Sequence, residues 1–122
     1  MTYYSYIFVR QDLTIEQQII QTGHVTMMTG FLMKGAKDFD RIDHPTGTVP
    51  FHRRLPQSTH YVLVGVKNEQ ALRAVEDVLT KFGFIYNIFN EPDVGYTAIC
   101  TWPVDENDRG PLLAFNTLRI QQ

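Results

Sequence analysis

A single cysteine, Cys100, rules out an intramolecular disulfide framework in this 122-residue chain. No apolar run approaches the roughly 20 residues that a membrane span needs; the richest stretch is FGFIYNIF at 82–89. The opening MTYYSYIFVRQ lacks a basic segment followed by an apolar one, so no secretory leader is expected. Nor is there an excess of one charge. Eleven basic against thirteen acidic residues give −2, so no global field draws the chain to nucleic acid or anionic lipid. Repeats and low-complexity tracts are also missing. What is present is ordinary globular composition, with 43% hydrophobic and 20% charged residues. The expectation is one domain over 1–122, cytoplasmic, with no membrane partner.

Residues 3–9, Tyr-Tyr-Ser-Tyr-Ile-Phe-Val, are aromatic and β-branched without alternation. They read as a strand covered on both faces. Thr14 with Gln17 three residues on is a capping-box pattern that opens a helix to about Met33. At about 100° per residue, Ile15, Ile19, Ile20, Gly23, Met27 and Phe31 fall within about 160° of arc, the expected core face. Gln17, Gln21, His24 and Met28 lie at its edge. Residues 34–57 carry three prolines and no period, and are expected to be a long loop. From Lys34 to His60 there are five basic and three acidic residues, which leaves a local +2 inside a chain that is otherwise −4.

Tyr61–Val66 is the strongest strand. Asn68 is an N-cap for a second helix, whose buried stripe is Leu72, Val75, Leu79 and Phe82 before a stop at Gly83. Strands are expected at Phe84–Phe89 and Tyr96–Trp102, joined by a turn at Asn90-Glu91-Pro92-Asp93. A short helix at Leu112–Phe115 and a last strand at Thr117–Ile120 complete the order. The fold class is α/β, a two- or three-layer sandwich with a mixed four- to five-stranded sheet.

Three constellations can carry chemistry. Gln17, Gln21 and His24 set an imidazole beside two amides, a group that binds polar ligands and moves protons near neutral pH. The plainer reading is a cap, a solvated amide and a half-buried histidine. Asn90, Glu91 and Asp93 place two carboxylates and an amide in one turn, where they activate water or serve only solubility. Arg53 and Arg54, beside Phe51 and His52, suit a phosphate backbone and stacked bases, or are simply solvated. His44, His52 and His60 are too irregularly spaced for zinc, so no metal or cofactor is expected. Cys100 sits inside a strand and reads as core.

Val9-Arg10-Gln11-Asp12-Leu13 followed by Gln21-Thr22-Gly23-His24 resembles the type 2 peptidyl-tRNA hydrolases. In that family a strand ends in Arg-x-Asp-Leu and a helix bears Gln-x-x-His. Thr97–Pro103 and Asn116–Ile120 resemble the family's last two strands, so the likeness is collinear over most of the chain outside 34–57. It implies the peptidyl-tRNA hydrolase type 2-like fold, hydrolysis of the peptidyl-tRNA ester, and tRNA or another RNA as partner. His24, Glu91, Gln17 and Thr97 would be the catalytic group. Gln21, Asn90, Asp93, Arg53 and Arg54 would bind substrate. Two departures stand out. The family's lysine seven residues before the histidine is Gln17 here, and its Asp-Ala-Gly loop is replaced by Asn90-Glu91-Pro92-Asp93. A non-catalytic module that binds RNA, a nucleotide or a protein on the same scaffold is therefore the alternative. A ferredoxin-like regulatory ligand-binding dimer is a third reading, and a homodimer is the expected assembly.

Overall fold

The computed structural model describes residues 2–35, 42–44, 47–49 and 59–115. Among them the order is β1 (Tyr3–Arg10), α1 (Ile15–Gly35), β2 (Ile42–His44), β3 (Gly47–Val49), β4 (Thr59–Val66), α2 (Glu69–Lys81), β5 (Tyr86–Glu91), β6 (Gly95–Thr101) and β7 (Val104–Asp105). Two 3-10 turns follow, at Glu106–Asp108 and Gly110–Leu112. The main sheet is mixed, in the order β4-β1-β6-β5, with β7 paired to β1. β1 and β4 run parallel over their whole lengths, and β6 lies antiparallel to β1.

Alternation along β1 sends its side chains to two separate cores. Tyr6 and Phe8 pack with Val64, Val66 and Ile99 against Leu72, Val75 and Leu79 of α2. Ile7 and Val9 pack with Ala98 and Cys100 against Val25 of α1. The helices thus cover opposite faces of the sheet, a three-layer sandwich, and the near-continuous apolar run of β1 is explained by burial on both sides. A ferredoxin-like layout would put both helices on one face of an antiparallel sheet. The parallel β1–β4 pair and the two-sided cover replace that reading.

α2 forms as its pattern predicts. The Asn68 side chain accepts from the Ala71 amide at 2.9 Å, the stripe of Leu72, Val75 and Leu79 is buried, and Gly83 follows at φ 76°. Phe82 departs from expectation. It sits at the C-cap, where the backbone has left the helical path, and its ring is half exposed.

α1 departs further. The face expected in the core points outward: Ile15, Ile19, Met27 and Phe31 are 67–78% exposed, and Ile20 is exposed too. The inward face carries Gln21, Val25, Thr29 and Met33. Its threonine hydroxyls are satisfied locally. Thr29 Oγ1 donates to the Val25 carbonyl at 2.7 Å, and Thr26 Oγ1 to the Thr22 carbonyl at 2.9 Å. A hydroxyl bonded to its own helix can be buried at little cost.

The long-loop expectation for 34–57 is also revised. α1 runs on to Gly35, and β2 pairs antiparallel with β3 inside the segment. β5 lies two residues later than expected, so Asn90 and Glu91 belong to the strand and the turn shrinks to Pro92–Val94. The helix expected at Leu112–Phe115 is a 3-10 turn ending at Leu112. The strand expected at Thr117–Ile120 lies outside the described residues.

Candidate functional site

β1 and β4 both end at the same edge of the sheet, at Arg10 and Val66. From there one strand feeds α1 on one face and the other feeds α2 on the opposite face. Adjacent parallel strands whose connections leave on opposite faces open a crevice beyond their carboxyl ends. The β5–β6 hairpin reaches the same edge, because β6 starts at Gly95 and β5 ends at Glu91. The first turns of α1, the hairpin and the strand ends therefore meet.

Gln21 is the hub of this meeting. It is 2% exposed, yet its amide is well partnered. Thr97 Oγ1 donates to Gln21 Oε1 at 2.8 Å. Gln21 Nε2 donates to Gln17 Oε1 at 3.2 Å and to Glu91 Oε2 at 3.3 Å. A carboxylate only accepts, so Glu91 fixes which end of the amide carries the nitrogen. His24, one turn further along α1, stacks on Phe89 with ring centroids 4.8 Å apart and planes at 19°.

Thr97 reaches this group through a bulge. Phe89 pairs with Ala98 and Asn90 with Tyr96, so Thr97 has no partner opposite it. The extra residue breaks alternation. Thr97 and Ala98 both turn toward α1, and Tyr96 turns toward α2, where the Arg73 guanidinium lies 4.5 Å from its ring centroid. Bulges that re-aim a side chain are common beside active sites.

Two charged groups set the hairpin. Arg10 Nη1 donates to the carbonyls of Val94 and Tyr96 at 3.0 and 3.1 Å, while its Nε and Nη2 pair with Asp12 at 2.9 and 2.8 Å. The paired guanidinium holds the Asp12 carboxyl below its ordinary pKa, and Asp12 raises that of Arg10. From the other side, Glu69 Oε2 accepts from the Tyr96 amide at 2.8 Å. That carboxylate lies where a side chain on Gly95 would project, and Gly95 has φ 96°.

Of the residues singled out in the sequence, Gln17, Gln21, Glu91 and Thr97 share one hydrogen-bond network, and His24 flanks it. Gln21, expected to bind substrate, is instead buried and holds the others in place. Gln17 was expected to cap the helix with its side chain. Its backbone amide does donate to Thr14 Oγ1 at 3.2 Å, but its side-chain oxygen is turned to Gln21. Asn90 and Asp93 are exposed, and neither bonds to the Gln21 group; Asp93 occupies a left-handed turn position, φ 69°. Arg53 and Arg54 lie outside the described residues. Phe89 and the Arg10–Asp12 clamp were not foreseen as site elements. The clamp had a signal in Arg-x-Asp at a strand end, whereas Phe89 had none. Among the described residues no three His, Cys, Asp or Glu side chains gather as a metal set, and no helix is long and apolar enough to cross a membrane.

No family model matches this chain, and no curated protein matches it either. Among solved structures it is similar to a protein of unknown function from Agrobacterium tumefaciens, at 12% identity and a TM-score of 0.60. The match covers 98% of this chain and 99% of the other. At that identity the likeness defines a shared α/β fold.

Proposed function

We propose that the crevice beside Gln21 hydrolyses an acyl ester, with peptidyl-tRNA as the substrate class. The observation that carries the reading is the buried amide joining Gln17, Glu91 and Thr97 beside His24. Glu91 has one oxygen held by Gln21 Nε2 and a second oxygen with no protein partner among the described residues. That oxygen takes a proton from water as the water attacks the ester carbonyl. Gln17 has its oxygen engaged by Gln21, so its NH2 is left to donate to the tetrahedral oxyanion. The carbon–oxygen bond to the ribose then breaks, and protonated His24 supplies the leaving oxygen with its proton. Thr97 and Gln21 position the group and do not touch the reacting atoms. Gln21, His24 and Thr97 are the positions that resemble the hydrolase family's motifs, and Gln17 and Glu91 stand where this chain departs from them.

A neutral amide stabilises an oxyanion less well than a cation, because charge-assisted hydrogen bonds are about twice as strong as neutral ones. Turnover is therefore expected to be slow, and Gln17→Lys is expected to raise it by about tenfold or more. The test is release of N-blocked aminoacyl groups from tRNA, comparing wild type with Glu91→Gln, His24→Ala and Gln17→Lys. Loss of turnover in the first two and a gain in the third support the reading. Wild-type turnover no faster than buffer overturns it.

A second reading has its own support, in the neutral Gln17 and in the Gln21 amide already committed to protein partners. It is a non-catalytic RNA-binding module. Saturable tRNA binding without ester cleavage, weakened in Arg53→Ala/Arg54→Ala, would favour it.

A further inference from the structure

The outer face of α1 is apolar and open, and its pattern has twofold symmetry. Glu16, Ile20, Gly23, Met27, Gly30 and Lys34 follow one another at alternating spacings of four and three residues. That is the spacing of a coiled-coil seam, and the six fall within about 80° of arc. Ile19 and Phe31 flank the seam on its two sides. Charge sits only at its ends, acidic at the start of the helix and basic at the finish.

Both glycines are unexplained by the fold. A side chain at Gly23 or Gly30 would meet nothing within 4 Å. Neither has a positive φ, so no turn requires them. A glycine inside a helix costs about 1 kcal/mol relative to alanine. Here the cost is incurred twice, on the one face of the helix that nothing among the described residues covers.

We infer that this face is the interface of an antiparallel homodimer, in which α1 of one protomer packs along α1 of a second copy. The dyad passes level with residue 25. Gly23 then receives the partner's Met27, Ile19 and Ile20 lie against the partner's Gly30 and the partner's Phe31, and Glu16 meets the partner's Lys34. Every bulky residue has a small or apolar counterpart, and each end pairs opposite charges. A parallel arrangement would set Gly23 against Gly23, Met27 against Met27 and like charges at both ends.

The area agrees. Ile19, Ile20, Met27 and Phe31 together present on the order of 500 Å² of surface, near the upper end of the largest patch on an ordinary monomer. Twofold pairing covers on the order of 1,000 Å², where specific interfaces begin, before the glycine backbone and the stems of Glu16 and Lys34 are added. The end charges are exposed and contribute register more than affinity.

This inference does not depend on the hydrolytic reading. Sedimentation equilibrium and cross-linking of the full chain test it. Wild type is expected to be dimeric at micromolar concentration. Gly23→Leu should weaken dimerisation at least tenfold while leaving each protomer folded, because leucine is the better helix former. Glu16→Lys should weaken it and Glu16→Lys/Lys34→Glu should restore it. Ile20→Cys and Phe31→Cys chains should cross-link when mixed and not when oxidised separately; the buried Cys100 does not compete. A monomer at all concentrations, as when residues 36–58 or a lipid surface cover this face, overturns the inference. So does a dimer insensitive to Gly23→Leu, or cross-linking of either cysteine variant alone.

Discussion

Gln21 can donate two hydrogen bonds and accept two, and three of these four are made to Gln17, Glu91 and Thr97. A buried amide used so fully holds its neighbours, and its removal leaves the fully buried Thr97 hydroxyl only a long 3.5 Å contact to the Phe89 carbonyl. Gln21→Ala is expected to cost about 2–3 kcal/mol in urea unfolding, and Gln21→Met nearly as much, since volume is not what is lost. Glu91→Gln should stay within about 1 kcal/mol of wild type, because Glu91 is partly exposed and keeps an acceptor. Cys100 makes a separate prediction. Burial pushes its thiol from 9.0 up to about 11, with a contact to Thr29 acting in the opposite sense. The unfolded chain therefore loses this proton before the folded one does. The contribution is intact below pH 9.0 and is lost as pH rises toward about 11, on the order of 3 kcal/mol in all. Burial raises Tyr3, Tyr61 and Tyr86 in the same direction, so the measurement is the difference in alkaline slope between wild type and Cys100→Ala.

The β5–β6 hairpin is the element that makes a site out of separate residues. Arg10 grips its carbonyls, Glu69 holds the Tyr96 amide, and the bulge turns Thr97 to the α1 face. Gly95→Ala strikes at this element twice, through a backbone at φ 96° and through the Glu69 carboxylate beside it. The expected cost is about 2 kcal/mol in thermal or urea unfolding, with a loss of turnover larger than that of a surface variant such as Lys67→Ala. α2 shows how much of an element its own residues can specify. A capping side chain, a stripe at helical spacing and a stop signal all agree, and the helix lies where they put it. α1 has a capping signal and a stripe as well, but the stripe faces out. Spacing identifies the helix and its two faces. Which face goes inward depends on what the sheet presents, and this sheet presents Glu91 and Thr97, polar groups that an apolar stripe would have left unpaired.

At the scale of the molecule, two helices on opposite faces of one mixed sheet place two cores back to back and leave the crevice at a single edge. Among the described residues the longest run of exposed apolar side chains lies on α1, remote from the α2 core, and its burial by a second copy predicts a thermal midpoint that depends on concentration. A rise of several degrees between 1 and 100 µM, absent in Gly23→Leu, is the expected result from linkage of folding to association. A flat midpoint in both would be the contrary outcome.

Strands β1 and β4, helix α2 and the α/β class followed from the amino-acid order alone, because each depends on residues adjacent in the chain and on burial of whole runs. The chemistry-bearing positions Gln17, Gln21, His24, Glu91 and Thr97 were legible as a set for the same local reason. Their roles were not. That Gln21 is a buried strut, that Thr97 turns toward it and that α1 shows its apolar side to solvent depend on a bulge and on groups about seventy residues apart meeting across a helix–sheet contact. The single cysteine belongs to both levels. Its strand was readable from sequence, but the burial that makes its thiol a weak acid arises only when α1 closes over the sheet.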